Sequence, residues 1–508
     1  MLFDHCKFHK RGVIMAKNLV YDIHDKPKFG NLLIFAIQQV LAILAATIAV
    51  PAIIGLPAQI PAAIFGAGVG TLIYQLFTKF KSPVFLGSSF AFLSSLGVAL
   101  AYGYCGIVLG SVVAGLVYVV LALVVKLVGT NWVDKLMPPI IIGPTVAVIG
   151  LSLAGNAMGD IVKSSGTILT DTAAAPNSGL IPFATYNLVA LLCGLVTFFT
   201  VVICSTQKRF RMPRLIPFII GIGAGYAAAS IFTVIGNATG VEYLQIINWQ
   251  PVVDNFVKDG AFVGVDAFFK LPDFALVKAI EELIHGNGEN WLIYTQDLQG
   301  SLANVVTVVI AFLPVALVVF AEHIADHKNL SSIIDHDLIK DPGLSRTLLG
   351  DGVGSIGGTL FGVCPNTTYG ESVGCVAITG NASVITITVA AIMCLCLSFI
   401  SPLMVVLQTI PSCVMGGVCL TLYGFIAVSG LKMIKDVDLN ESKNLFVVSA
   451  ILIAGIGGLA IQIPYAFNAA EYAVVQGKIV QITSVATALI LGIITNAVLT
   501  KVEGKKQK

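Results

Sequence analysis

The sequence predicts an all-α polytopic membrane protein with fourteen transmembrane segments arranged as two inverted seven-span repeats. Of its 508 residues, 56% are hydrophobic and only 11% are charged, and the mean hydropathy is +0.92. Soluble globular chains carry about 25% charged residues, so this composition argues against a water-soluble protein. A helix that crosses ~30 Å of hydrocarbon needs about 20 mostly apolar residues, and such runs recur along the whole chain.

The apolar runs form two groups of seven candidate spans on either side of a polar segment. The first group covers residues 31–53, 57–78, 83–102, 105–128, 138–158, 187–205 and 213–236. The second group covers residues 302–327, 346–363, 366–383, 384–405, 408–430, 444–463 and 478–500. A unit with an odd number of spans reverses its orientation in the bilayer when it is repeated in tandem, so this division predicts an inverted repeat.

The basic residues predict which side of the membrane each connecting segment occupies. With the N-terminus placed in the cytoplasm, all but five of the 29 Lys and Arg residues fall on inner segments. The exceptions are Lys163, Lys258, Lys270, Lys278 and Lys478. Positively charged loops resist translocation. The asymmetry therefore predicts a multi-pass protein of the cell membrane with both termini in the cytoplasm.

Five segments follow from this topology: a cytoplasmic N-terminal segment, a first seven-span repeat, an external polar segment, a second repeat and a basic cytoplasmic tail. The N-terminal segment covers residues 1–30, the first repeat 31–236, the external segment 237–301, the second repeat 302–500 and the tail 501–508. The external segment contains one amphipathic stretch, from Asp273 to His285. This stretch could serve as a lid or a partner surface, or it could belong to a solvated loop that packs on the membrane face.

The third and tenth spans occupy matching positions in the two repeats, and both are too rich in polar, Gly and Pro residues for lipid-facing helices. In the third span, Pro83, Gly87, Ser88 and Ser89 precede a Phe-Ala-Phe-Leu run. The tenth reads Cys-Pro-Asn-Thr-Thr-Tyr-Gly-Glu-Ser-Val-Gly over residues 364–374. Irregular backbone at membrane depth is tolerated only where it is buried in protein or lines a cavity. The pattern predicts two half-helices, each preceded by a short extended stretch whose N–H groups point into a pocket.

Two acidic side chains stand out within the predicted spans: Glu322 late in the eighth and Glu371 in the interrupted tenth. A carboxylate at the bilayer centre costs roughly 2.5–3.5 kcal/mol on insertion scales, which favours a functional role over a buried contact between helices. An ionised carboxylate only accepts hydrogen bonds, so a neutral planar ligand with several N–H donors suits this pair. A cation pathway, with the glutamates as Na⁺ or proton sites, suits it equally.

Two residues that follow Glu322, Asp326 and His327, are candidates for proton coupling. Asp326 lies four positions after Glu322 and shares its helical face, whereas His323 and His327 share a neighbouring face. Histidine titrates near neutral pH and suits proton transfer. The alternative is that Asp326, His327 and Lys328 mark the cytoplasmic end of the helix.

Several classes of function find no support in the sequence. There is no nucleotide-binding motif, which argues against an ATP-driven pump. The ten cysteines show neither a CxxC pair nor a Cys/His ligand spacing, so no metal or other cofactor is expected. No nucleophile–base pair indicates an intramembrane enzyme. The net charge of +2 reflects the basic inner loops, and no nucleic-acid partner is expected.

Five motifs together carry a resemblance to a known family. They are Gly87-Ser-Ser-Phe-Ala-Phe, Ala321-Glu-His-Ile, Asp341-Pro-Gly-Leu, Pro365-Asn-Thr-Thr-Tyr-Gly-Glu and Val414-Met-Gly-Gly-Val. From about residue 30 to 465 the chain resembles the nucleobase:cation symporter-2 family, also called nucleobase–ascorbate transporters. The Asn-Thr-Thr-Tyr-Gly-Glu segment is similar to the uracil permease branch. The family signature in the tenth span fits at Glu371, Gly374, Thr379 and Gly380, with Ser372 where the family has Asn.

The resemblance implies a secondary active transporter that imports uracil by proton symport, with alternating access between a core domain and a gate domain. It implies that Glu322 and Glu371 hydrogen-bond the base, that the backbone N–H groups of Phe90 and Gly370 meet its carbonyls, and that Tyr369 lines the pocket. The expected driving force is the proton gradient, with Na⁺ as the alternative ion. The expected partners are a nucleobase and the lipid bilayer, with a homodimer as an assembly to test.

Two positions depart from the pattern of uracil permeases. Those proteins often have His four residues after the first glutamate, where this chain has Asp326, and Gln-His in the first span, where it has Gln38-Gln39. The coupled proton could therefore reside on Glu322, Asp326 or His327. The alternative functions are a purine or xanthine permease of the same family and, third, an anion transporter of the same fold.

Overall fold

The structure is a computed structural model, and most of its described residues are helical. It describes residues 19–163, 186–209, 213–214, 216–258, 260–285, 298–435, 437–464, 467–468, 473–474 and 479–506. Most of the predicted N-terminal segment, 1–18, and residues 286–297 of the predicted external segment lie outside these ranges.

The helices follow the predicted spans closely. Before and within the polar segment they are α1 (Phe29–Ile53), α2 (Ile60–Phe77), α3 (Leu93–Leu100), α4 (Gly103–Val128), α5 (Asn131–Leu136), α6 (Pro139–Ser152), α7 (Ala154–Ile161), α8 (Leu188–Thr206), α9 (Pro217–Thr239), α10 (Gln250–Phe256) and α11 (Ala275–His285). After it they are α12 (Leu298–Ile334), α13 (Leu344–Phe361), α14 (Gly370–Thr379), α15 (Val384–Leu397), α16 (Ser401–Gln408), α17 (Ser412–Met433), α18 (Ser442–Ile456) and α19 (Ser484–Lys506).

Within the described ranges, nine helices are long and apolar enough to cross a membrane. Shorter apolar helices lie at Phe90–Leu100, Val384–Leu397 and Ser442–Ile456. Such a set of apolar helices is typical of a multi-pass membrane protein.

Two predicted spans are wrong at their C-terminal ends. The run 384–405 is two helices, since α15 ends at Leu397 and α16 begins at Ser401. Pro402 lies in the first turn of α16, where its missing N–H group leaves no helical hydrogen bond unmade. The run 444–463 is helical only to Ile456. Gly458 follows with φ +72°, a left-handed conformation that glycine adopts without steric cost. In contrast, α12 continues past Lys328 to Ile334, so the acid and histidines after Glu322 do not mark its end.

The described residues include eight short strands. They are β1 (Leu86–Ser88), β2 (Val257–Lys258), β3 (Ala261–Phe262), β4 (Asn366–Thr368), β5 (Ile461–Pro464), β6 (Phe467–Asn468), β7 (Ala473–Val474) and β8 (Ile479–Ile482). Of these, β1 and β4 fall in the predicted extended stretches and the other six were not predicted. All pairs are antiparallel: β1 with β4, β2 with β3, β5 with β8 and β6 with β7.

The two interrupted spans meet through β1 and β4. The register pairs Leu86 with Thr368 and Ser88 with Asn366. A short 3-10 helix, Phe90–Phe92, and α3 follow β1, and α14 follows β4. The predicted extended stretches are therefore present, and the structure adds that they pair with each other.

The helices pack in two groups. One contains α1–α4 and α12–α15 together with β1 and β4, and the other contains α6–α9 and α17–α19. Helices α1 and α12 also contact the second group, so they form much of the boundary between the two.

Helices α2 and α13 approach closely because glycines face each other. A Cβ atom built on Gly66 would lie 2.9 Å from the backbone nitrogen of Gly362, and one on Gly70 would lie 2.8 Å from the carbonyl oxygen of Gly354. Small residues of this kind allow backbones to approach in membrane proteins.

We expect Gly66→Ala to destabilise the protein, because the added methyl group would force α2 and α13 apart. Overpacking of this kind costs about 1–3 kcal/mol. Thermal unfolding in detergent measures the effect. Gly223→Ala on α9 is the matched control, because a Cβ atom there meets nothing within 4 Å. An equal melting temperature for Gly66→Ala and the parent would contradict the expectation.

One exposed ion pair joins the loops that follow α2 and α12. The Lys81 Nζ atom lies 2.8 Å from Asp341 Oδ1 and 3.0 Å from Oδ2. The hydrogen bond from Lys81 lowers the pKa of the Asp341 carboxyl group. The Asp-Pro-Gly-Leu motif thus contributes a contact between connecting loops on the side that is predicted to be cytoplasmic.

Candidate functional site

A cavity of about 550 Å³ lies where the paired strands face the second helix group. Six of the seven site residues predicted from the sequence line it; they are Phe90, Glu322, Asp326, Tyr369, Gly370 and Glu371. The seventh, His327, is absent from its wall. Side chains of α17, including Phe425 and Ser429, form part of the opposite wall.

Two helix N-termini border this cavity. Phe90 is the first residue of its 3-10 helix, and Gly370 is the first residue of α14. The first N–H groups of a helix have no acceptor within the helix, and a helix N-terminus carries a partial positive charge. Each interrupted span therefore supplies backbone donors suited to a carbonyl oxygen or to negative charge.

The two predicted glutamates lie on different elements beside these donors. Glu371 is in the first turn of α14, and Glu322 projects from α12. Among the described residues, the buried Oε2 atom of Glu322 has no hydrogen-bond partner. Leaving such an atom unpaired costs about 1–3 kcal/mol, which a ligand with an N–H donor would offset.

Asp326 is a third acid in the same cavity. Its side chain is buried, and its Oδ2 atom accepts a hydrogen bond of 2.9 Å from the Thr368 hydroxyl group. Its Oδ1 atom lies 3.8 Å from the position that a Cβ atom on Gly370 would occupy. Asp326 therefore sits beside the N-terminus of α14, where an acidic group can reach both the cavity and the paired strands.

His327 belongs to a different, fully buried network. Its Nδ1 atom lies 2.8 Å from the carbonyl oxygen of His323, and its Nε2 atom lies 2.7 Å from the Tyr74 hydroxyl group. Since a carbonyl only accepts, Nδ1 carries a proton, and a neutral ring accepts at Nε2. The Tyr74 hydroxyl also contacts Ser82. The structure thus brings Asp326 to the glutamates and places His327 away from them.

His323 pairs with Asp351, an acid that the sequence reasoning missed. The His323 Nδ1 atom lies 2.7 Å from Asp351 Oδ2, and its Nε2 atom lies 3.0 Å from the Thr347 hydroxyl group. Both partners are buried. Asp351 lies within the predicted ninth span, so its charge in a hydrophobic run was the signal available.

We expect Asp351→Ala to lower stability by about 1–3 kcal/mol, because the buried His323 N–H group would lose its acceptor. Thermal unfolding of the purified protein measures this. Asp351→Asn is the matched variant, since its amide oxygen can still accept the hydrogen bond, and we expect a smaller loss. Equal melting temperatures for Asp351→Ala and the parent would contradict this role of the pair.

Tyr369 contributes a ring surface to the cavity. Its hydroxyl group donates a hydrogen bond of 2.7 Å to the carbonyl oxygen of Ser88, and its ring packs against Gly87, where a Cβ atom would lie 2.9 Å from that hydroxyl oxygen. The Phe90 ring meets Tyr423 edge to face at 5.3 Å between centroids. Glycine at position 87 therefore gives the tyrosine room to bridge the two strands.

Two of the positions that depart from the family pattern contact each other. The Gln39 side-chain amide donates a hydrogen bond to the Ser372 hydroxyl group, which also accepts from the Phe85 backbone at 3.3 Å. Gln39 stands where uracil permeases often have His, and Ser372 stands where the family signature has Asn. The two substitutions therefore belong to one contact between α1 and α14.

Polar residues also line the far end of the cavity. Arg214 precedes α9, Asn329 lies near the end of α12, and Ser429 lies near the end of α17. None of the three was predicted from the sequence as a site residue. They lie toward the side of the protein that the charge distribution predicts to be cytoplasmic.

Comparison with known proteins gives consistent results over most of the chain. The Permease family matches residues 30–463. The uracil permease of Bacillus caldolyticus is 34% identical over 483 residues, which cover 94% of each chain. The uracil permease of Bacillus subtilis (strain 168) is 34% identical over 486 residues, covering 95% of this chain and 96% of that one. The uracil permease of Escherichia coli (strain K12) is 32% identical over 444 residues, covering 87% and 88%.

Solved structures of lower sequence identity share the fold. The transmembrane domain of the cyanobacterium bicarbonate transporter BicA superposes with a TM-score of 0.52 at 15% identity, covering 86% of this chain and 99% of that one. The murine Solute Carrier 26 family member A9 anion transporter in the inward-facing state superposes with a TM-score of 0.55 at 12% identity. The match covers 94% of this chain and 69% of that one. At such identities the likeness extends to the fold alone.

Permeases are transporters, so this chain is a membrane transporter and not an enzyme. The match across residues 30–463 and the high coverage of the uracil permeases confirm the resemblance that the motifs indicated. The chain belongs to the Permease family, within the nucleobase:cation symporter-2 transporters.

Proposed function

We propose that the chain imports uracil by proton symport. The observation that carries this proposal is the convergence of Glu322, Glu371 and two helix N-termini on a single cavity. The relatives named uracil permeases support the choice of base. Uracil is a neutral planar ring with both N–H donors and carbonyl acceptors, and the cavity offers partners of both kinds.

In the proposed complex, the carboxylates of Glu322 and Glu371 accept hydrogen bonds from the N–H groups of the base. The backbone N–H groups of Phe90 and Gly370 donate to its carbonyl oxygens, and the Tyr369 ring packs along its plane. A site of this kind rejects a base with a different donor pattern, because each mismatch leaves a buried polar group unpaired at about 1–3 kcal/mol.

The two helix groups suggest how access alternates. We assign the group with α1–α4 and α12–α15 to a core domain and the group with α6–α9 and α17–α19 to a gate domain. Together the two domains would form fourteen spans in two inverted repeats. The protein would lie in the cell membrane, with both termini in the cytoplasm. The cavity lies between the groups and reaches Arg214 and Asn329, which supports an inward-open arrangement. Movement of the core against the gate would expose the site to either side in turn.

For the coupled proton we propose Asp326. It lines the cavity and contacts Thr368 at the end of β4, so its charge can influence both the bound base and the paired strands. His327 is directed to Tyr74 instead. Glu322 and His327 are the competing carriers, and Na⁺ is the competing ion.

A panel of labelled bases offered to proteoliposomes tests the proposal. We expect uracil to accumulate when an inward proton gradient is imposed, and a protonophore to abolish that accumulation. Unlabelled xanthine should leave labelled uracil uptake unchanged. Strong competition by xanthine would favour a purine permease. Accumulation driven only by a Na⁺ gradient would overturn proton coupling. Transport of bicarbonate without uracil transport would favour an anion transporter.

A further inference from the structure

Helix α11 presents its apolar side chains outward. Five of these side chains, which we call the apolar flank, are exposed: Leu276 (37%), Val277 (51%), Ile280 (46%), Leu283 (54%) and Ile284 (68%). Since each helical residue adds a rotation of roughly 100°, they share one side of α11. A helix that packs in water turns such a side toward the protein interior, and α11 does not.

The side of α11 that does pack on the protein is small and polar. Ala275 and Ala279 are buried against it. The Glu282 carboxylate accepts hydrogen bonds of 3.0 Å and 2.9 Å from the backbone N–H groups of Tyr104 and Cys105. These groups begin α4, where a carboxylate is favoured by the helix dipole. Glu282 therefore fixes the orientation of α11 and leaves the apolar flank outside.

The start of α11 is held at the same end of the helix bundle. The ring of Phe274, which directly precedes α11, lies 5.0 Å from that of Phe65 and 5.4 Å from that of Phe361. Phe65 is in the first turns of α2, and Phe361 is the last residue of α13. Since α2 and α4 begin here and α13 ends here, α11 lies at the boundary of the membrane-spanning helices, on the side predicted to be external.

The remaining side of α11 is hydrophilic. Lys278, Glu281 and His285 follow one another at helical spacings of three and four residues, so they form a stripe of their own. The helix thus has a packed side, an apolar flank and a polar flank. This is the pattern of a helix that lies in the interface of a bilayer, with one flank toward acyl chains and the other toward water.

We propose that α11 is an interfacial lipid-binding helix whose apolar flank enters the outer leaflet at the level where headgroups meet acyl chains. The apolar surface continues into the preceding residues, since Phe269 and Leu271 are 63% and 65% exposed. The partner is the bilayer itself, because both anchors of α11 lie at the ends of helices that cross it. This proposal does not depend on which substrate the protein carries.

Spin labels report directly on the surroundings of the apolar flank. Ile280→Cys and Leu283→Cys, each labelled with a nitroxide in a cysteine-depleted background and reconstituted in liposomes, would be compared with Glu281→Cys on the polar flank. Oxygen partitions into lipid, whereas a nickel chelate stays in water. At positions 280 and 283 we expect the label to collide with oxygen several-fold more often than with the chelate. At position 281 we expect the opposite ratio. Dominant nickel collisions at 280 and 283 would overturn the proposal, and so would protection from both reagents, the signature of a second copy of the chain.

A second measurement keeps the native cysteines. Leu283→Trp in liposomes that contain lipids brominated on the upper part of the acyl chain should lose more fluorescence than the parent protein, because heavy-atom quenching requires contact. Glu281→Trp is the control. A single symmetric peak in size-exclusion chromatography and a melting temperature equal to that of the parent verify that each variant is folded. Equal quenching of the Leu283→Trp variant and the parent would contradict lipid contact.

Discussion

Glu371→Ala should strongly reduce the rate of uracil uptake at low substrate concentration. The substitution removes a charged acceptor from the first turn of α14, beside the N–H group of Gly370. A hydrogen bond to a charged group contributes about 1.5–3 kcal/mol, which corresponds to a loss of roughly 10- to 150-fold in affinity. Initial rates of labelled uracil uptake by a transporter-null strain measure this loss.

Two further variants separate the carboxylate from general damage. Glu371→Gln keeps an acceptor oxygen without charge, so we expect residual uptake with a raised KM. Glu441→Ala changes an exposed glutamate next to α18 and should behave as the parent protein. Membrane levels of each variant are compared on blots. Robust uptake by Glu371→Ala at normal expression would refute the assigned binding role.

Asp326→Asn should uncouple transport from the proton gradient. The substitution keeps the shape of the side chain and an oxygen that can accept from Thr368, but it removes the ionisable group. An imposed gradient of one pH unit corresponds to about 1.4 kcal/mol, so a proton symporter can accumulate a neutral substrate up to about tenfold. We expect the accumulation ratio of Asp326→Asn to fall to about one, while exchange of labelled for unlabelled uracil continues.

His327→Gln is the matched control for that experiment. The His327 ring contacts Tyr74 and the His323 backbone, outside the cavity wall. We therefore expect His327→Gln to lower thermal stability and to retain accumulation. The opposite result, with accumulation lost in His327→Gln and kept in Asp326→Asn, would assign the coupled proton to the histidine.

The fold followed from sequence as far as hydrophobic runs could specify it. Long helices such as α1 and α4 are continuous apolar runs, which the sequence shows directly. The excess of basic residues on the inner loops does not depend on where each helix ends. The predicted ends of the spans 384–405 and 444–463 were wrong. Single residues mark the ends that the structure has there, Pro402 and Gly458. The strands β5 and β8 were not predicted because their apolar residues look the same as part of a helix.

The candidate site was predicted in part because its residues are chemically out of place in a membrane. Glu322, Glu371 and the Gly/Pro-rich segments around them give that signal, and resemblance added Phe90, Gly370 and Tyr369. Asp351 gave the same signal and was overlooked. Contacts between residues far apart in sequence, such as Gln39 with Ser372, have no local signature, and neither does the orientation of Asp326 into the cavity and of His327 away from it.

The pairing of β1 with β4 has a consequence for how the protein is made. Tyr369 and its acceptor, the carbonyl group of Ser88, are 281 residues apart. At a synthesis rate of about 5–20 residues per second, the first strand waits roughly 15–55 s for its partner. We expect its backbone groups to lack a partner strand during that time, and unpaired backbone is costly in hydrocarbon. The part of the cavity wall around β1 is therefore made before its partner strand, and we expect a ribosome that stalls between β1 and β4 to leave an unpaired strand edge.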